Sequence, residues 1–131
     1  MKRAIFAIAA CALLSGCQTA VPASVAASQH PPSAAIKTAI VKAARDVVFD
    51  PYSIRDAEIS NVVLLDPSAG IEAICVKANA KNQFEGYTGR QATGISIKNG
   101  VLLGATAGDP RCLDPRLQYH RFPELENLKN I

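Results

Sequence analysis

The sequence predicts an α+β fold, with one N-terminal helix packed on a small antiparallel sheet of about four strands. Three observations lead there. After Ser33, apolar residues recur at helical spacing. Beyond Pro51 the spacing changes to alternation, and Asn99-Gly100 between two alternating runs marks a hairpin. The chain is also short. Its 131 residues suffice for one domain, and its 49% hydrophobic content is rich in Ala and lacks Trp, which limits it to one modest core.

Taken in order, the helix begins at Ser33, a side chain suited to capping the first free amides. Ile36, Ala39, Ile40, Ala43 and Val47 share a face, with Lys37, Lys42, Arg45 and Asp46 elsewhere on the wheel. The helix ends near Phe49, because Asp50 precedes Pro51. Its apolar face consists largely of small residues, which suits packing on a sheet better than lying on a membrane. Strands are expected over residues 54–65, 71–79, 93–98 and 101–105. The first is read with Ile59, Val63 and Leu65 to one side, the second with Ile74, Val76 and Ala78 to one side. Residues 66–70, Asp-Pro-Ser-Ala-Gly, form the turn between them. After Gly108 the chain reads as irregular, with Asp109-Pro110 and Asp114-Pro115. The charged last ten residues read as a loosely ordered tail in which Phe122 and Leu125 are the residues able to dock.

The N-terminus reads as a processing signal. Lys2 and Arg3 precede an apolar run from Ala4 to Leu14 and then the small residues Ser15 and Gly16. That run is too short for a membrane span, which needs about 20 residues. Leu14-Ser15-Gly16-Cys17 resembles the lipobox of bacterial lipoproteins. The resemblance implies removal of residues 1–16, a diacylglycerol on the Cys17 thiol and an N-acyl chain on its new amino group. Two or three acyl chains anchor stably where one is marginal. It also implies the outer membrane, facing the periplasm, because Gln18 stands where Asp would retain such a protein in the inner membrane. Residues 18–33, rich in Ala, Ser and Pro, then read as a flexible tether containing His30 as a spacer, and residues 34–131 as the domain.

Removing the signal changes two other readings. The net charge of +3 becomes about +1, since 12 basic and 11 acidic residues remain without Lys2 and Arg3. A nucleic-acid partner, which needs a basic patch, is therefore not expected. Of four cysteines, Cys11 leaves with the signal and Cys17 carries lipid. Cys75 and Cys112 remain, in a compartment that permits a disulfide. Closing that loop of nearly forty residues contributes about 4 kcal/mol in the chain-entropy model. Two isolated thiols are the alternative. A zinc site lacks the close ligand pairs it needs, and no metal or cofactor is expected.

The stretch from Asn79 to Gly89 is polar, carries Phe84 and Tyr87 and is followed by Arg90. Together with Asp50-Pro51-Tyr52-Ser53 and Cys75 it resembles small exported bacterial α+β domains. Those domains carry Asp-Pro-x-Ser, then Asn-Ala-Lys-Asn, an aromatic and Gly-Tyr-Thr-Gly. The resemblance covers roughly residues 46–98, with Glu85 standing where Gly is common. It implies a fold and no activity. Two readings of the stretch compete: Phe84, Tyr87 and Arg90 as an exposed partner-contact patch, or a wide structural turn whose aromatics cover the core edge.

No nucleophile elbow, zinc-protease helix or phosphate loop occurs. The expected function is a lipid-anchored, non-catalytic binding or structural module of the cell envelope, with an envelope protein or the cell wall as partner. The alternative is a small periplasmic hydrolase using His120 with a carboxylate such as Asp109 or Asp114.

Overall fold

The structure, a computed structural model, describes residues 21–130. Three α-helices occur among them: α1 (Ala23–Ala27), α2 (Ala34–Val47) and α3 (Pro123–Glu126). The strands are β1 (Arg55–Ser60), β2 (Val63–Asp66), β3 (Ile71–Asn79), β4 (Gln91–Lys98), β5 (Val101–Ala107) and β6 (Tyr119–Arg121). Single 3-10 turns cover Pro51–Ser53, Pro110–Leu113 and Asn127–Asn130. The fold is α+β, and every strand pairing is antiparallel. The sheet runs β5-β4-β3-β1-β6, with β2 beside β3.

Local chemistry explains the elements. Ser33 caps α2, its hydroxyl accepting from the Ile36 amide at 3.2 Å. The β4–β5 hairpin turns at Asn99 (φ 51°) and Gly100 (φ 74°), the pair of positive φ values its two-residue turn demands. In the β2–β3 turn, Asp66 Oδ1 accepts from the Ser68 amide and hydroxyl and the Ala69 amide. Those bonds, led by the Ser68 hydroxyl, hold the Asp66 carboxyl below its ordinary range.

The sheet has cover on both faces. Ile36 and Ile40 of α2 join Phe122, Leu125 and Leu128 over Ile59, Ile74, Val76, Ile95 and Ile97. On the opposite face Val21, Val25 and Ala26 meet Val63, Cys75, Cys112 and Leu117. Cys75 and Cys112 form the expected disulfide, with Cα atoms 5.6 Å apart. It fastens the 110–113 turn to the middle of β3.

Four expectations are corrected. Among the described residues the sheet has six strands, not about four, and α2 is not the sole helix. The run 54–65 is two strands, β1 and β2, both along β3, with a break at Asn61-Val62. Ser60 Oγ accepts from the Cys75 amide there, and Val62 exchanges backbone bonds with His30. The break inverts the phase of alternation. Ile59 lies in the first core cluster, whereas Val63 and Leu65 lie in the second. The C-terminal tail is not loose: β6 pairs with β1, and Phe122, Leu125 and Leu128 are among the most buried side chains. Residues 21–33 are not a slack tether. Val25 and Ala26 are buried, His30 bridges Val62, and Gln29 bonds the Arg116 carbonyl and Gln118 amide. Small apolar side chains let this stretch lie close on the sheet, which its linker-like composition conceals. Residues 17–20, with the proposed lipid site, lie outside the described residues.

Candidate functional site

The two sequence stretches singled out above meet in space. The Ser53 hydroxyl donates to the Asp50 carbonyl at 2.7 Å and accepts from the Lys81 amide at 2.8 Å. Tyr87 donates its phenol to the Ser53 carbonyl at 2.7 Å, and the Arg55 guanidinium stacks 3.7 Å from its ring centre. Asn82 organises the turn between, its Oδ1 accepting from the Phe84 and Gly86 amides. Glu85 takes the positive φ of 61° there, a value glycine adopts more easily. The loop is thus a hydrogen-bonded joint between the 51–53 turn and the β3–β4 connection.

That joint divides the three candidate contact residues. Tyr87 is held by its bond to Ser53, and Arg90 is paired with Glu58 of β1. Phe84 stands apart at the tip, 81% exposed. As a set, the three do not form one patch of uncommitted side chains.

The alternative catalytic pair is not assembled. His120 Nε2 sits 2.7 Å from Asn61 Oδ1, a neutral amide. Asp109 and Asp114 are buried, and each is gripped by the arginine two positions on. Arg111 Nε lies 3.0 Å from Asp109 Oδ1, and Arg116 Nε lies 3.0 Å from Asp114 Oδ1. These contacts, more than any other influence, hold both carboxyls below the ordinary range. Such carboxylates are anchors rather than proton donors. Tyr119 is pushed up to about 12 by burial and by the Glu58 charge; its phenol donates to the Cys112 carbonyl. His30 Nε2 approaches Glu72 at 3.2 Å on the surface. Among the described residues no three His, Cys, Asp or Glu side chains cluster to hold a metal. No helix among them is long and apolar enough to cross a membrane.

A feature that sequence reasoning missed lies on the α2 face. An open recess of about 450 Å³ separates α2 from β4 and β5. Ala43, Ala44 and Val47 line it from the helix, Val76 and Ala78 from β3, and Leu102 to Ala105 from β5. Gln91 and Thr93 are its polar members. Small residues line it from both sides, Ala43 and Ala44 of α2 and Gly104 and Ala105 of β5. Val47, 79% exposed, and Leu103, 55% exposed, form its rim. Ala80 and Gln91 carry the recess to the foot of the 81–90 loop. A signal was present: the helix face contains three alanines, Ala39, Ala43 and Ala44, and β5 is Val-Leu-Leu-Gly-Ala-Thr-Ala without a charge. Compared with family models, with curated proteins and with solved structures, the chain matches none.

Proposed function

We propose that the chain is a lipid-anchored binding module of the bacterial cell envelope, attached through Cys17 at the periplasmic face of the outer membrane. It has no catalytic task in this reading. Its partner is an envelope protein that offers an extended apolar segment to β5. The observation that supports binding is the recess beside an edge strand. β5 is bonded to β4 on one side and has no neighbouring strand on the other among the described residues. An uncharged strand edge accepts another strand by backbone pairing. The recess, of ligand-pocket size, takes the apolar side chains of that segment. The lipobox resemblance supports the anchor.

A photoreactive residue placed at Leu103 in living cells tests the binding. It should give one discrete adduct, and the same residue at Thr38 on the outer side of α2 should give none. Equal adduct patterns from both positions would reject the β5 face. Labelling with a palmitate analogue tests the anchor, and an unlabelled wild-type chain would end that part of the reading.

A further inference from the structure

The most informative juxtaposition lies where the chain leaves the described fold. The Val21 amide donates to Asp114 Oδ2 at 2.8 Å, and its carbonyl accepts from Arg116 Nη2. Its side chain is buried in the second core cluster. Val21 is therefore fixed to the 110–117 segment. Only Gln18, Thr19 and Ala20 separate it from Cys17. Four Cα steps reach at most about 14 Å. A domain of this size is about 30 Å across. A leash that short cannot pass around the molecule, so a lipid on Cys17 holds the Val21 side against the bilayer.

The surface beside Val21 suits that position. Leu113 is 68% exposed, and it lies in the chain between Arg111 and Arg116, whose side chains are about half exposed. Each guanidinium spends Nε and Nη2 on its own aspartate. Each Nη1 has no hydrogen-bond partner among the described residues. An outward leucine flanked by two arginines fits the border between acyl chains and phosphates. The leucine enters the apolar edge and the guanidinium groups donate to phosphate oxygens.

We infer that the 110–117 segment is a membrane-resting surface that docks on phospholipid, with Leu113 inserted and Arg111 and Arg116 at the headgroup phosphates. This rests on the proposed anchor at Cys17. It turns the α2 face, with the recess, away from the lipid.

The test uses the protein purified from membranes and reconstituted in nanodiscs of phosphatidylethanolamine and phosphatidylglycerol, with and without nitroxide-labelled lipid. The mass of the Cys17 peptide is read on the same sample. Amide resonances of Arg111, Leu113 and Arg116 should lose most of their intensity beside the nitroxide. Those of Lys42 and Arg45 on α2 should keep theirs. Equal loss, or none, in a chain whose Cys17 carries lipid overturns the docking surface and leaves the anchor standing. A Cys17 peptide without lipid overturns both.

Discussion

At Gly94 a side chain has no room. A Cβ there would lie 2.2 Å from Asp109 Oδ2, and Asp109 cannot swing away because Arg111 grips it and the Asp109 amide is bonded to the Ala92 carbonyl. Gly94→Ala should therefore cost about 1–3 kcal/mol through overpacking. Denaturant titration would read this, and an unchanged midpoint would show that the 108–113 turn yields instead. Asp114 makes a second prediction, for pH. Its carboxyl is held below the ordinary 3.8 by Arg116 and by the Arg116 and Val21 amides. A depressed carboxyl stabilises the fold fully above the unfolded value, and that contribution fades as pH falls below it toward the folded value. Wild type should thus lose stability below about pH 4. Asp114→Asn should be less stable at neutral pH and show a flatter acid limb. Parallel acid limbs in urea melts of the two proteins would contradict the assignment.

Among the elements, α2, the β3 range and the β4–β5 hairpin follow directly from periodicity, the Ser33 cap and Asn99-Gly100. The local rules and the tertiary packing agree in those places. The disulfide followed from cysteine arithmetic. The break at Asn61-Val62 was hidden because Asn61, though a turn former by type, has no Gly or Pro beside it and runs straight into the apolar stretch from Val62 to Leu65. It arises from two distant partners, the Cys75 amide on Ser60 and the His30 backbone on Val62. β6 was hidden for the same reason, since Tyr-His-Arg is a strand only because β1 offers it an edge. The recess had only the small residues of the helix face and the uncharged β5 as its signal, because alternation says which face is apolar and not whether facing side chains fill the gap. The loop motifs announced an organised segment and left open which side chains stay free. That distinction yields a prediction. Tyr87→Phe, which removes the bond to the Ser53 carbonyl, should cost about 1 kcal/mol. Phe84→Ala should change stability by less than about 0.5 kcal/mol. Thermal melts of the two variants would check the pair, and the reverse ranking would mean that Phe84 holds the loop.

At the scale of the whole molecule, the Cys75–Cys112 disulfide closes a loop with a sequence separation of 37. In the chain-entropy model its loss costs about 4 kcal/mol, a large part of the roughly 5–15 kcal/mol that holds a domain folded. Urea unfolding with and without reductant should show that difference. A midpoint indifferent to reductant would mean the two core clusters hold the 110–113 turn without it. Residues 21–33 act at this scale too. They bind β2 and the 114–118 segment, so they are part of the fold and not a spacer before it. A mechanical consequence follows. Tension between an anchored Cys17 and a partner seated on β5 would not be absorbed by slack chain. It would enter the domain at Val21, pass to the 114–117 segment and cross the sheet through Cys112 and Cys75, so the covalent staple would lie on the line of force. In that reading the protein is a stiff bracket, and its first yielding point under a pull is the junction of Val21 with Asp114 and Arg116.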